Sequence, residues 1–317
     1  MKILFHENQL CLRGTSVAMF DYAHFNEEIL SNESYVLFDH NSRFNDNQTI
    51  DKFCNRFKGR VFSYRDRSEI NRICDHLNID CFYMIKSGEN DGLLSNKKNL
   101  VHAVFQANQP HGDVYAYVSE WLSRKMSNGT HPYVPHIVHL PPPTENVRDA
   151  MGIPKDAFVF GRYGGYDQFD IQFVKDAIVE FVQNNSSVWF VFFNTAPFVN
   201  HERIKFFNGF ADMQLKANVV ESCDAMIHAR SMGESFGLAI CEFLYGNKPV
   251  LAWSGGNDRH HIDILEKRDL LYTTKEDLID KMANMTSSAC AGNYRTLVEK
   301  FTPSMVMDRF HKVFLQG

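Results

Sequence analysis

The sequence predicts an α/β protein made of two doubly wound halves, each built on a parallel sheet. Three observations support this prediction. The chain has 317 residues, enough for two ordinary domains. Short apolar runs of the β type alternate with longer amphipathic runs, which is typical of α/β units with parallel strands. A proline-rich break lies near the middle of the chain, and the alternation restarts after it.

The first half contains six predicted strands with helical patterns between most of them. The strand candidates are 2–5, 35–38, 61–63, 80–84, 100–105 and 114–118. The helix candidates are 15–30, 46–57 and 67–77. The second half continues in the same way, with strands over 158–161, 188–193, 225–228 and 249–253 and a helix over 169–183.

The break between the halves reads HLPPPTENVRDAMGIP, residues 139–154. Three consecutive prolines do not fit inside an ordinary helix or a central strand, so we interpret this stretch as the interdomain connection. The predicted domains are 1–143 and 144–301. Residues 302–317 form a terminal helix, with Pro303 tolerated in its first turn, that we expect to pack back toward the first domain.

Composition excludes several classes of function. The formal net charge of −5 and the absence of Lys/Arg runs with interleaved aromatics argue against a nucleic-acid partner. No stretch has the apolar core of a secretory signal or the length of a membrane span. Seven cysteines form no Cys-x-x-Cys pair, which favours a reduced, cytoplasmic location. Membrane contact and oligomeric state stay open.

The most informative stretch is GESFGLAICE, residues 233–242, which follows a buried strand and opens a predicted helix. A helix N-terminus offers free backbone N–H groups and partial positive charge, so a phosphate can bind at Ser235, Phe236 and Gly237. Gly237 lacks the Cβ that would block this approach. The loop also lies at the carboxyl end of a strand, where open α/β sheets bind ligands.

Two carboxylates, Glu234 and Glu242, bracket this stretch. They can serve one ligand at two depths, with Glu234 near sugar hydroxyls and Glu242 near a ribose. The alternative is structural. Ser231 and Glu234 fit the S-x-x-E pattern of a capping box, and Glu242 can be a solvated helix residue.

Glu-x7-Glu with Ser-Phe-Gly after the first acid, DAMIHAR before it and NKPVLAW after it resembles the signature of retaining, nucleotide-sugar-dependent glycosyltransferases of family 4. The resemblance implies the GT-B fold, in which two Rossmann-like doubly wound domains face a central cleft. It makes residues 1–143 the acceptor-side domain and residues 144–301 the domain that binds the nucleotide-sugar donor. It implies transfer of a hexose from a nucleoside diphosphate sugar to an acceptor hydroxyl on a glycan or glycoconjugate. It further implies retention of configuration and no need for a metal or other cofactor.

The resemblance extends to FGRYGG, residues 160–165. It implies that Arg162 contacts the pyrophosphate of the donor. The family's phosphate-binding lysine is missing after this arginine, since the first lysine is Lys175. Arg230 is a candidate replacement. Alternatively, Arg162 pairs with Asp167 at the surface.

In the first half, KILFHENQLCLRGTS resembles the family's first strand and glycine turn. The resemblance places Gly14 and Thr15 at the cleft as donor-binding residues. The family also has a cleft histidine, for which His102 and His111 are both candidates as catalytic residues beside Glu234. A histidine inside a strand is more often a core residue, and that alternative applies to His102.

Other functions are weighed against this one. A sugar-nucleotide epimerase of the same architecture would consume the nucleotide sugar without an acceptor, and an inactive relative would only bind it. Adjacent His260 and His261 point in different directions on a helix, so they do not indicate a metal site with Asp258 and Asp263. No dinucleotide fingerprint and no Walker lysine occur.

Overall fold

The structure is a computed structural model that describes residues 1–265, 269–287 and 292–317, so Cys290 lies outside the described residues. The chain divides into two compact units. The first unit consists of Met1–Ile137 together with Phe301–Gly317, and the second consists of Val138–Lys300.

The first unit is built on a six-stranded sheet. Its strands are β1 (Lys2–Glu7), β2 (Glu33–Asp39), β3 (Val61–Tyr64), β4 (Cys81–Lys86), β5 (Lys98–Ala103) and β6 (Val114–Tyr117). They lie in the order β3-β2-β1-β4-β5-β6, and every pairing is parallel. The direction of winding therefore reverses between β1 and β4, which makes the edge formed by their carboxyl ends a switch point.

Four helices belong to this part of the chain. Helices α1 (Gly14–Glu28), α2 (Asn47–Arg56) and α3 (Glu69–Leu77) connect the first four strands, and α4 (Glu120–Ser127) follows β6. Two of them begin at a side-chain cap. Asp46 accepts a hydrogen bond from the backbone N–H of Thr49 at the start of α2. Ser119 accepts one from Leu122 at the start of α4. Such caps satisfy N–H groups that have no partner within the helix.

The second unit repeats the same topology. Its strands are β7 (Phe158–Tyr163), β8 (Val188–Phe193), β9 (Ile204–Phe207), β10 (Ala225–His228), β11 (Gly233–Glu234), β12 (Val250–Trp253), β13 (Asp258–Arg259) and β14 (Leu271–Tyr272). Six of them form a parallel sheet in the order β14-β12-β10-β7-β8-β9, while β11 pairs with β13. The switch point of this sheet lies between β7 and β10.

The remaining helices are α5 (Gln172–Asn184), α6 (Met213–Ser222), α7 (Leu238–Tyr245), α8 (His260–Leu265), α9 (Lys275–Ser287) and α10 (Pro303–Phe310). A single π-helical turn, His311–Leu315, follows α10. No helix within the described ranges is long and apolar enough to cross a membrane.

The predicted fold class of two doubly wound α/β domains is confirmed. Strands β4 and β8 are buried at every position, which explains why they read as continuous apolar runs. The sequence prediction did not name β9 or α6, which span only 4 and 10 residues.

Residues after the three prolines pack along α6 of the second unit. The backbone N–H of Thr144 donates to Asn218 at 2.9 Å, and that of Val147 donates to Ser222 at 2.8 Å. Arg148 forms an ion pair with Asp224 at 2.7 Å. The connecting segment is thus held by specific hydrogen bonds from its polar residues.

The C-terminal segment packs into the first unit through aromatic side chains. Phe310 stacks on Tyr22 with ring centroids 5.5 Å apart, and Phe314 meets Tyr83 edge-on at 5.5 Å. Arg309 donates to the carbonyl oxygen of Tyr133. Burial of these rings accounts for the position of the last helix, since aromatic side chains bring large apolar surfaces into a core.

Candidate functional site

The candidate site lies at the carboxyl edge of the second sheet, at its switch point. Arg162 lies next to the end of β7 and His228 is the last residue of β10. Arg230 follows in the loop after β10, and Glu234 is reached in β11. The carboxyl ends of parallel strands meet at one edge, so the topology brings these four side chains together.

Glu234 is the centre of this group. Its carboxylate accepts hydrogen bonds from His228 Nε2 and from Arg230 Nη1, both at 3.0 Å. Burial favours the protonated acid, but the hydrogen bond from His228 and the charge of Arg230 outweigh burial and lower the pKa of Glu234 to about 2. Its side chain is still 18% exposed, so this carboxylate is ionised and within reach of a ligand.

Arg162 is a buried cation with neutral hydrogen-bond partners. Its guanidinium donates to the hydroxyl of Thr195 and, at 3.1 Å, to the carbonyl of Gly165. Burial lowers its pKa to about 10, against the charges of Glu234 and Asp170, so it stays protonated at neutral pH. Within the described ranges Arg162 forms no ion pair, and the alternative pairing with Asp167 does not occur.

Two glycines shape the loop between β10 and α7. Gly233 has a φ of +78°, and a Cβ there would lie 1.9 Å from the carbonyl oxygen of Asp258. Gly237 adopts the left-handed conformation, with φ 87° and ψ 50°, as the residue that precedes α7. No side chain of the described residues caps this helix. Its first N–H groups therefore open onto the loop at the sheet's carboxyl edge.

The capping-box alternative for Ser231 and Glu234 is wrong. The hydroxyl of Ser231 donates to Asp170 at 2.5 Å, and the carboxylate of Glu234 is engaged by His228 and Arg230. Helix α7 begins only at Leu238. The predicted binding residues Ser235 and Phe236 lie in the turn before it and are both buried.

Glu242 lies in α7 and is buried in an ion pair rather than solvated. Lys216, from α6, donates to its carboxylate at 2.8 Å, and the two side chains are 5% and 4% exposed. The same ammonium lies 4.9 Å from the ring centre of Tyr163 at the end of β7. Sequence reasoning missed Lys216, because nothing in its local pattern indicates a partner 26 residues away.

His228 and His261 are two further residues that sequence reasoning did not assign to the site. Their rings lie 6.0 Å apart, and His261 donates from Nε2 to the carbonyl of Trp253. Burial and the charge of His228 lower the pKa of His261 to about 4. In both rings Nδ1 is buried without a hydrogen-bond partner among the described residues. The histidine in DAMIHAR was a visible signal.

In the first unit, the predicted residues Gly14 and Thr15 begin helix α1 at the carboxyl edge of the sheet. The hydroxyls of Thr15 and Ser16 donate to the two carboxyl oxygens of Glu7, at 2.5 and 2.7 Å. Burial raises the pKa of Glu7 to about 7, although these hydrogen bonds lower it. Glu7 ends β1 at the switch point, and it too was missed from the sequence.

His102 lies inside strand β5 and is fully buried. Its Nε2 donates to the carbonyl of Val134 at 2.8 Å, and Nδ1 is hydrogen-bonded to the hydroxyl of Tyr83 at 2.6 Å. Burial lowers its pKa to about 4. Both ring nitrogens are therefore hydrogen-bonded within the core. This is the environment expected if His102 is a core residue, the alternative given by the sequence.

His111 lies in the loop that leads from β5 to β6. Its Nδ1 donates to the carbonyl of Gln109 at 2.7 Å. The neighbouring Gly112 packs against Asn99 and Val101, so the loop has returned toward the start of β5. The Nε2 of His111 is buried without a hydrogen-bond partner among the described residues, whereas both ring nitrogens of His102 are engaged. A catalytic role for either histidine stays a prediction.

No group of three or more His, Cys, Asp or Glu side chains in the described parts of the chain could hold a metal ion. Adjacent His260 and His261 each bond to a backbone carbonyl, of Phe236 and of Trp253. Their rings are thus oriented by the peptide backbone.

Neither a protein-family profile nor a curated protein matches the sequence, whereas many solved structures do match. The structure of Anabaena HepE in complex with UDP-glucose has a TM-score of 0.78 at 15% identity and covers 100% of both chains. Sucrose-phosphate synthase from Thermosynechococcus elongatus has a TM-score of 0.72 at 11% identity, covering 100% of this chain and 98% of its own. A putative UDP-N-acetylglucosamine 2-epimerase from Listeria monocytogenes reaches 0.61 at 13%, covering 98% and 94%. The chain therefore has the GT-B fold of two Rossmann-like α/β domains.

Proposed function

We propose that this protein is a retaining glycosyltransferase of the family 4 type. It transfers a hexose from a nucleoside diphosphate sugar to a hydroxyl of a glycan or glycoconjugate, without a metal ion. We place it in the cytoplasm, which agrees with free cysteines at all described positions.

The observation that carries the proposal is the unpaired, buried guanidinium of Arg162 beside an ionised Glu234 at a sheet switch point. A buried cation whose direct partners are all neutral is an unusual and costly arrangement unless it receives an anion. The planar guanidinium suits the oxygens of a pyrophosphate, because it can donate two parallel hydrogen bonds. That the HepE structure contains UDP-glucose supports a UDP-sugar as the donor.

The mechanism follows from where charge develops. The leaving group is a nucleoside diphosphate, so the largest contribution is electrostatic stabilisation of its growing negative charge. Arg162 and Arg230 supply positive charge, and the N–H groups at Ser235 to Gly237 supply preorganised donors. These groups stabilise the negative charge of the leaving group, which other enzymes stabilise with a divalent cation.

Glu234 accepts hydrogen bonds from the donor sugar. It also faces the positive charge that develops at the anomeric carbon of that sugar. With a pKa lowered to about 2, it remains an anion at every physiological pH and does not serve as a proton donor. His228 and Arg230 hold it in place. In the proposal Glu242 reaches the ribose, with Lys216 fixing the direction of its carboxylate. Gly14 and Thr15 of the first unit also contribute to donor binding, and His102 and His111 are the candidate catalytic histidines.

A sugar-nucleotide epimerase is the second candidate, favoured by the likeness to the putative Listeria epimerase. Epimerisation needs groups that give and take protons near neutral pH. The low pKa of Glu234 fits that role poorly, and the transferase is therefore the preferred proposal.

The first test is nucleotide binding, measured by calorimetry with UDP, GDP and ADP in the presence of EDTA. We expect one nucleotide to bind, and Arg162→Gln and Arg230→Gln to weaken it by about 10- to 100-fold, since a hydrogen bond to a charged group contributes about 1.5–3 kcal/mol. Arg203→Gln is the matched control. Arg203 lies in the same unit but donates to Asn185 at the amino edge of the sheet.

The second test follows the nucleotide sugar by NMR with and without a panel of sugar acceptors. Transfer with retained anomeric configuration, undiminished by EDTA, supports the proposal. Turnover without acceptor identifies the epimerase instead. Binding without any turnover identifies an inactive relative, and the absence of nucleotide binding rules out the donor site.

A further inference from the structure

Three exposed arginines follow three neighbouring strands of the first sheet. Arg13 comes after β1, Arg43 after β2 and Arg65 after β3. These strands are adjacent in the order β3-β2-β1, so all three arginines lie on the carboxyl edge of the sheet. Ligands of open α/β sheets bind at this edge.

None of these three guanidiniums forms an ion pair or a side-chain hydrogen bond within residues 1–265, 269–287 and 292–317. Their neighbour Arg67 differs, since it donates to the backbone and carboxylate of Asp91. Asp39 ends β2, and Asp46 and Asp66 lie in the same loops as the arginines. Each of these carboxylates accepts a hydrogen bond from a nearby backbone N–H, of Asn41, Thr49 and Ser68, at 2.8 Å each.

An exposed aromatic ring lies among them. Phe44 is 47% exposed, and the guanidiniums of Arg13 and Arg43 lie 5.4 and 4.8 Å from its ring centre. An exposed ring beside two guanidiniums presents apolar surface and two donor forks at the same place. We call Arg13, Arg43, Phe44 and Arg65 the arginine platform.

Hydrogen bonds between the loops hold the platform together. The backbone N–H of Leu10 donates to Asn45 at 3.1 Å, and that of Asp46 donates to the carbonyl of Leu10 at 2.8 Å. Asn41 donates to the carbonyl of Arg65 at 2.9 Å. The loops after β1, β2 and β3 therefore form one connected surface, and binding a ligand there requires little ordering of the backbone.

We infer that the arginine platform is a subsite for an acceptor sugar that carries an anionic group, either a phosphate or a carboxylate. The guanidiniums bind the anion, and Phe44 packs against the apolar face of the sugar ring. The aspartates in the same loops keep the local net charge small. Recognition therefore depends on directed hydrogen bonds to one anionic group. An anionic membrane surface would instead attract a broad positive field, which these loops do not provide. The inference rests on the proposed transferase function, because that function supplies the acceptor.

The test is calorimetry at low ionic strength with glucose 6-phosphate, glucuronate, inorganic phosphate and glucose as probes. We expect glucose 6-phosphate or glucuronate to bind the wild type at least about tenfold more tightly than glucose does, since charge-assisted guanidinium contacts are strong. The triple variant, which combines Arg13→Gln, Arg43→Gln and Arg65→Gln, should abolish this preference. Lys58→Gln removes an exposed positive charge elsewhere on the same unit and should leave it unchanged.

Phe44→Ala separates the two parts of the subsite. It should weaken binding of the anionic sugar by about threefold to tenfold through lost ring contact, and leave inorganic phosphate unaffected. Equal effects on both probes contradict a sugar subsite. Equal binding of charged and neutral sugars to the wild type, or unchanged binding in the triple variant, overturns the inference.

Two measurements separate this inference from neighbouring possibilities. The nucleotide that binds the wild type is titrated into the triple variant, and unchanged affinity shows that the donor site and the fold are intact. If anionic sugars bind but no nucleotide does, the transferase proposal fails while the platform stands. Binding of phosphatidylglycerol vesicles lost in the triple variant, without any preference for anionic sugars, identifies a membrane contact and overturns the inference.

Discussion

Glu7 in the first unit and Glu234 in the second occupy similar places and differ in their ionisation. Each is a largely buried glutamate at the carboxyl edge of a parallel sheet, close to the switch point. Burial raises the pKa of Glu7 to about 7. For Glu234 the hydrogen bond from His228 and the charge of Arg230 overcome burial and lower the pKa to about 2.

The difference shows that the partners of a buried acid decide its charge. Two hydroxyls, from Thr15 and Ser16, can accommodate either form of Glu7 because a hydroxyl both donates and accepts. A guanidinium only donates, so Arg230 stabilises the ionised form of Glu234 and not the protonated form. The second unit thus holds a permanent anion, while the first holds an acid that titrates near neutral pH.

Glu242 is a third buried glutamate, less exposed than Glu234, and its carboxylate is paired with one cation, Lys216. We expect Lys216→Met to destabilise the protein by about 3–5 kcal/mol, because it leaves a buried carboxylate unpaired. The measurement is urea unfolding at neutral pH. Lys155→Met is the control at an exposed lysine of the same unit and should change stability by less than about 0.5 kcal/mol.

The double variant Lys216→Met with Glu242→Leu should recover most of the lost stability, since replacing both members of a buried pair by apolar residues is often nearly neutral. A single variant as mild as the Lys155 control would show that the buried pair contributes little to stability.

A second prediction concerns Glu7→Gln and pH. The folded-state pKa of Glu7 is raised from its ordinary value of 4.5 to about 7. Between these values the folded protein holds a proton that the unfolded chain has released, so wild-type stability falls as pH rises. Relative to Glu7→Gln, the wild type should lose about 3 kcal/mol from pH 4.5 to pH 7.

The measurement is urea unfolding of both proteins at a series of pH values. Glu89→Gln, at an exposed position of the same unit, is the control and should follow the wild type. A difference between wild type and Glu7→Gln that does not vary with pH would contradict the raised pKa.

A third prediction converts one environment into the other. In Arg230→Met with His228→Phe, Glu234 keeps its burial and loses the two side chains that donate hydrogen bonds to its carboxylate. Its pKa should rise from about 2 to above its ordinary value of 4.5, like that of Glu7. Carboxyl ¹³C NMR titration of labelled glutamate measures this directly. In the wild type, stability supplied by Glu234 is present above pH 4.5 and declines as pH falls toward 2.

The double variant should also destabilise the protein less at pH 3 than at pH 7, since at low pH the wild-type advantage is partly gone. If the Glu234 resonance still titrates near pH 2 in that variant, elements other than Arg230 and His228 set its charge.

The smallest predicted effect comes from the hydroxyls around Glu7. Ser16→Ala removes a donor to its carboxylate and should cost about 1 kcal/mol of stability at pH 8, where Glu7 is ionised. The cost should be smaller at pH 5, where the acid is protonated. The control is Ser127→Ala, whose hydroxyl donates to the carbonyl of Ser123 and accepts from the backbone N–H of His131, with no carboxylate involved. A pH-independent cost for Ser16→Ala would contradict the assignment.

Much of the fold was predictable, and part of the candidate site. The alternation of apolar and amphipathic runs predicted both parallel sheets, and the loop after β10 was identified from GESFGLAICE. The structure places Arg162, Arg230 and Glu234 together, as the predicted donor site requires. Lys216, His228 and Glu7 were not identified, since their importance comes from neighbours supplied by other segments.

The sequence by itself determined the two-domain α/β architecture, because hydrophobic periodicity and strand-to-helix breaks are local properties of the chain. The tertiary structure alone decided which acids are charged. It joined Lys216 to Glu242 across 26 residues and surrounded Glu7 with hydroxyls and Glu234 with donors. A pKa depends on burial and on every nearby charge and hydrogen bond, and folding sets these distances.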